Sequence, residues 1–171
     1  CEIGYNATLM NHLWHALACE NTVLLSTTLS KLPTIPNSST WINYIRCHDD
    51  IGWGISDQNA ADVGQNGHET RLFCSSFYTG VWKDSFAQGY SFQIDKSNGE
   101  SRISGSTAAL IGIQKSFIEN KKEELSQAIN RFKLLHGVIF FMRGIPLVYA
   151  GDEIGHLNNF DYLKDDEKTR T

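Results

Sequence analysis

Three groups of residues have the types and spacing to do chemistry. The first is Arg46-Cys47-His48-Asp49-Asp50. Two adjacent carboxylates repel when both are ionised, so a pair leaving an apolar run beside a histidine implies something that offsets the repulsion. Sugar hydroxyls or a cation would do so. A helix cap followed by a solvated aspartate fits the same letters. Histidine and aspartate are ordinary ligands of divalent metals, but this stretch alone supplies fewer than a metal needs. The second group is Gly151-Asp152-Glu153-Ile154-Gly155. There the glycines set a turn, and the acids are expected to bond backbone N–H groups or a nearby arginine rather than to catalyse. The third is Arg71 and Arg102, set among aromatic residues. That mixture suits sugar binding, through ring stacking and forked hydrogen bonds to hydroxyls. An ordinary core with surface salt bridges is the plainer reading of the same residues. No glycine-rich phosphate loop, GxSxG elbow, HExxH helix or CxxC pair is present.

These groups must be positioned by recognisable elements. Ala7 to Leu29 carries apolar residues at helical spacing, with Asn6 as a cap and a break expected at Asn21. Thr40 to Arg46 is short, aromatic and β-branched, which predicts a strand ending at the first acidic group. From Ile51 to Thr107 the periodicity dissolves into scattered glycines and aromatics, too apolar for a linker. A folded insertion is expected, with a hairpin turn at Ser97-Asn98-Gly99. Ser106 to Ile113 predicts a short buried helix, and Lys122 to Met142 a long one, with a stripe of Leu125, Ile129, Phe132, Leu135, Ile139 and Met142. His136 on that helix is expected to be satisfied locally. Ile145 to Tyr149 reads as a buried apolar strand running into the second acidic group. Strands separated by helices predict parallel βα units, with both acidic strand ends on one face.

Composition narrows the setting. The 171 residues are 41% hydrophobic and 20% charged, as in an ordinary globular domain. A net charge of -4 gives no basic patch for nucleic acid or anionic lipid, and no apolar run is long enough to span a membrane. Cys1, Cys19, Cys47 and Cys74 are scattered, which fits free thiols in a reducing, cytoplasmic compartment, with secretion the alternative. A chain that starts at Cys1 and stops in the polar run Asp165 to Thr171 reads as part of something larger.

Tyr44-Ile45-Arg46-Cys47-His48-Asp49-Asp50-Ile51-Gly52-Trp53 resembles the strand-seven motif of amylosucrase-like enzymes, a branch of the α-amylase superfamily of glycoside hydrolases. Gly144 to Gly155 resembles that superfamily's strand-eight motif. Ser85-Phe86-Ala87-Gln88-Gly89 and Ser101 to Leu110 resemble the amylosucrase insertion, and Glu2 to Asn6 the start of the helix preceding strand seven. The likeness spans nearly the whole chain.

The resemblance implies an α/β fold, a partial (β/α)8 barrel from helix six to strand eight with an irregular inserted subdomain after strand seven. Residues 1–50 would be helix six and strand seven, 51–107 the insertion, and 108–171 helix seven, strand eight and the following loop. It implies a retaining glucosyl transfer from sucrose to an α-glucan with release of fructose, no cofactor and no metal; water as acceptor would make it a sucrose hydrolase. Asp49 matches the carboxylate that stabilises the transition state. His48 matches the histidine bonding the same glucosyl unit, and Asp50 a residue beside the leaving-fructose or acceptor site. Arg102 and Arg71 match arginines holding fructose or glucan. The family's arginine at the pocket base would fall beyond Thr171, and Arg170 is a poor match. The nucleophile and acid/base belong to strands four and five, so this chain alone is expected to be inactive. A full barrel takes about 250 residues, and a partial one would leave an open sheet edge on each side, available for self-pairing. A non-catalytic sugar-binding remnant of a barrel and a metal-dependent hydrolase are the competing readings.

Overall fold

The computed structural model describes residues 2–161; the polar run Asp165 to Thr171, including Arg170, lies outside them. Three short parallel strands form one sheet in chain order: β1 (Ile3–Tyr5), β2 (Thr40–Tyr44) and β5 (Ile145–Leu147). Ile3 stands opposite Thr40, and Tyr44 opposite Leu147. Helices α1 (Ala7–Cys19) and α2 (Val23–Ser30) connect β1 to β2, and α7 (Lys122–Phe141) leads into β5. Parallel strands added in one direction by crossovers of the near-universal right hand carry their helices on one side of the sheet. α1 packs on β2, and α7 on β2 and β5.

β1 departs from expectation, because the sequence assigns Ile3 to Tyr5 to the start of the helix that follows. Its strand state comes from tertiary pairing: the Thr40 N–H donates to the Glu2 carbonyl, and the Asn6 N–H to the Ile42 carbonyl. Asn6 then caps α1 by accepting from the Leu9 N–H. Its amide also donates to the fully buried Asn43, which in turn donates to the Arg143 carbonyl. Two asparagines thus lace the starts of α1 and β5 to β2. Gly144, at φ 141°, makes the close approach this requires, since a Cβ there would lie 2.6 Å from the Trp41 carbonyl oxygen.

The break in the first helical run comes at Glu20, which adopts a left-handed φ of 52° just before Asn21. Ile145 to Tyr149 is shorter and more exposed than its apolar letters suggest. β5 is an outer strand of the sheet, and Ile145, Val148 and Tyr149 are each more than a third exposed.

Residues 51–107 hold α3 (Asp57–Ala61), α4 (Gly67–Tyr78) and an antiparallel pair, β3 (Tyr90–Phe92) with β4 (Arg102–Ser104). The expected turn closes the loop between those strands, where the Gly99 N–H bonds the Asp95 carbonyl at a φ of 78°. The short helix expected over Ser106 to Ile113 is split into α5 (Thr107–Leu110) and α6 (Ile113–Ile118) by left-handed Gly112. The insertion and the βα units share one core. Fully buried Trp14 on α1 meets Tyr78 on α4 edge to face, and Trp53 stacks on Tyr78. The Tyr78 hydroxyl donates to the Trp14 carbonyl, and the Trp14 indole N–H to the Ile45 carbonyl. These bonds satisfy the polar tips that buried aromatics carry in with them.

The buried face of α1 also carries His12 and His15. Burial, with a smaller contribution from His12, pushes His15 down to about 4. A base held neutral in the folded state binds fewer protons than the unfolded chain. Its contribution to stability is full above the ordinary histidine value and is lost as pH falls toward 4. Urea unfolding between pH 7 and 4 should therefore show stability falling with pH, and His15→Gln should flatten that slope by up to one proton, about 1.4 kcal/mol per pH unit. An unchanged slope in the variant would remove His15 from the account.

Candidate functional site

β2 ends at Tyr44, and Ile45 is anchored from behind by the Trp14 indole. The next side chain, Arg46, folds inward and is only 7% exposed. Its Nε donates to the Gly105 carbonyl at 2.9 Å and its Nη1 to the Asp49 carbonyl at 2.6 Å. The turn from 46 to 49 is thus wrapped around its own arginine and tied to the loop before α5. Burial pushes the Arg46 guanidinium down from its ordinary value, while the charges of Cys47, Asp50 and Asp152 work the other way.

Beyond the turn the chain is fixed twice more. Ile51 and Ile103 exchange both backbone hydrogen bonds at 2.9 Å, and the Gly54 N–H donates to the Asn11 side chain at 3.1 Å. Between these anchor points, His48 and Asp49 project outward, their side chains 78% and 68% exposed. His48 Nε2 lies 3.5 Å from Asp49 Oδ1, and the half-buried Cys47 thiol completes a group whose ligand atoms all fall within 4.8 Å of one another. Asp50 is half-buried beside the Arg46 charge. Below the turn, burial, with Cys47 and Asp49 adding to it, pushes the Tyr44 hydroxyl up to about 12, which keeps it protonated.

Arg102 comes near this loop through the Ile51–Ile103 pairing. Its exposed side chain lies over Gly52, reaches Gln93 at 3.5 Å, and borders a hollow of about 190 Å³ with Trp53 and Glu100. Arg71 has different company. Its guanidinium donates to the Ile55 carbonyl, Asp57 and Glu100 at 2.8–2.9 Å, and Glu100 also receives His68 at 2.8 Å. Burial raises the Glu100 carboxyl, but His68 and Arg71 outweigh it and hold the group below its ordinary value. Arg71 therefore binds parts of the insertion together, and its fork is engaged within the protein.

The second acidic group behaves as a turn. Glu153 accepts from the Gly151 N–H at 2.8 Å, and buried Asp152 accepts from the Thr107 hydroxyl at 3.0 Å, with His136 Nε2 at 3.7 Å. His136 places its other ring nitrogen 3.0 Å from the Phe132 carbonyl, one turn back on α7.

Two contributors, Arg46 and Cys47, have roles that their letters alone do not assign. Arg46 was visible only as the letter before Cys47, although an arginine at a strand end running into two acids is a usable signal for a buried counter-charge. Cys47 has no CxxC partner, and its neighbours His48 and Asp49 supply the company instead. No protein-family model matches the chain. Among the described residues, no helix is long and apolar enough to cross a membrane.

Proposed function

We propose that this chain forms the part of a sucrose-using, retaining glucosyltransferase site that grips the glucosyl unit, in a larger (β/α)8 barrel that supplies the nucleophile and the acid/base. The observation that carries the reading is the pair His48 and Asp49: adjacent, turned outward, and mounted on a strand-end loop fixed by Arg46, Ile51 and Gly54. Barrel chemistry collects at the C-terminal ends of the strands, where this loop stands. Strands added in one direction with helices on one side form the arc that a barrel closes, and the outer strands β1 and β5 are where its remaining strands would pair.

In this reading the Asp49 carboxylate accepts from the glucosyl 2- and 3-hydroxyls and faces the positive charge that develops at the anomeric carbon. A fixed anion is most effective there because it need not reorganise as charge appears. His48 bonds the same sugar and orients it. Asp50 and Arg102 stand toward the leaving fructose or the α-glucan acceptor. Arg71 serves the same region by binding Glu100, and with it the approach to β4. Glucose passes to the glucan with retained configuration through a covalent glucosyl intermediate on the supplied nucleophile.

The test is chemical. A longer polypeptide carrying this sequence in a complete barrel should consume sucrose and release fructose, with glucose appearing in lengthened glucan. The chain of Cys1 to Thr171 alone should release none. Fructose released by the chain alone would overturn the division of carboxylates, and a complete barrel inert to sucrose would overturn the function.

A further inference from the structure

We infer that the Cys47-His48-Asp49 turn is a binding site for a single soft divalent cation of the zinc type. Three different ligand chemistries meet there: a thiol sulfur, an imidazole nitrogen and a carboxylate oxygen, all within 4.8 Å of one another. Bond lengths of about 2.0–2.3 Å to zinc imply ligand-to-ligand edges of about 3.3–3.7 Å. Contracting the group to that size needs about 1 Å of side-chain rotation, and the high exposure of His48 and Asp49 permits it. The backbone beneath is held by Arg46 through the Asp49 carbonyl. Among the described residues, the only polar contact of the His48 ring or the Asp49 carboxylate is the one between them, and the Cys47 thiol is a free cysteine. The donors are therefore uncommitted. A thiolate with an imidazole favours zinc over magnesium or calcium, which prefer all-oxygen shells. Three protein ligands leave the fourth tetrahedral position to water, and half-buried Asp50 follows directly in the chain.

Cation binding needs nothing from the sugar reading. Its consequence for catalysis rests on that reading: a cation on His48 and Asp49 occupies the groups that would grip glucose, so zinc would act as an inhibitor competing with sucrose.

Cobalt(II) titrated into the reduced chain is the probe. One equivalent should bring up a thiolate-to-cobalt charge-transfer band and the intense visible bands of a tetrahedral ion, and zinc should bleach both. Cys47→Ser should remove the charge-transfer band, and His48→Ala should weaken cobalt binding by more than the roughly tenfold to hundredfold that loss of an outer-shell partner costs. Circular dichroism of each variant separates a lost ligand from a lost fold, and magnesium at the same concentration should leave the cobalt spectrum unchanged. A cobalt spectrum without the charge-transfer band, or one that survives Cys47→Ser in a folded chain, would overturn the site. Neither result bears on sucrose turnover, so the two proposals fail separately.

Discussion

Arg46→Ala is expected to lower the unfolding free energy by about 3–5 kcal/mol, the sum expected for two buried hydrogen bonds from a charged donor. The side chain is 7% exposed and lies between β2 and the loop before α5. Its loss leaves the Gly105 and Asp49 carbonyls without a charged donor, and hydrogen bonds to charged groups contribute about 1.5–3 kcal/mol each. It also leaves Asp50 and buried Asp152 without the positive charge that faces them. The cavity adds to the penalty, because the arginine stem packs in the interior. Urea denaturation followed by tryptophan fluorescence would measure it, with a fall in melting temperature on the order of 10 °C. Arg46→Lys is the informative comparison. Lysine keeps the charge but not the planar fork that spans two carbonyls in different directions, so it should recover only part of the loss. A cost below about 1 kcal/mol for the alanine variant would mean that the turn is held by its backbone alone, and the account of a pre-formed site would lose its main support.

How far the sequence led depends on how local the cause was. The long α7 was readable as a helix from its spacing, and the break after Cys19 from Asn21, because both follow from patterns within a few residues; its buried face differs from the expected stripe, with Ile129 exposed and Ala128 and His136 buried beside Leu135 and Ile139. The strand β1 was not readable. Three residues carry no periodicity, and Ile3 to Tyr5 is extended because Thr40 to Ile42 lies beside it. The exposure of Ile145 and Val148 was hidden for the same reason: apolar letters state what a strand prefers, not which side of the sheet it occupies. Gly112 was counted within a helix that it divides, since a left-handed φ of 93° is a property of the packing against Phe86. At the candidate site, the residue types and their position at a strand end could be read directly. That His48 and Asp49 project outward while Arg46 turns in could not, because it depends on Gly105, which is distant in sequence. The same non-local network engages Arg71, whose letters alone fit a sugar-binding arginine as well as they fit the ion pairs it makes with Asp57 and Glu100.

The larger effect is expected at Asp49. In a complete barrel carrying this sequence, Asp49→Asn should lower sucrose turnover by about a thousandfold or more, and in the chain of Cys1 to Thr171 the same change should leave the melting temperature almost unchanged. The two halves of that expectation rest on different observations. Stability should hold because the side chain is 68% exposed and the His48 ring beside it, 3.5 Å away, is equally open to solvent. Exposed substitutions of that kind stay within about 0.5 kcal/mol. The backbone carbonyl that Arg46 holds is untouched by the change. Turnover should collapse because asparagine is nearly isosteric but neutral, and it presents an amide donor to one of the hydroxyls that the carboxylate would accept from. Removing a single pre-oriented electrostatic group from a water-excluded site costs about 100- to 1000-fold in rate, and here the loss of charge faces a cationic transition state directly. Because the interaction strengthens as charge develops, kcat should fall far more than KM rises. Asp50→Asn, placed one residue away and beside Arg46, should act mainly on KM or on the choice between glucan and water. Steady-state fructose release by the two variants separates these roles. Turnover within tenfold of the parent for Asp49→Asn would show that the carboxylate is not facing the reacting sugar, and the glucosyl-transfer reading would go with it.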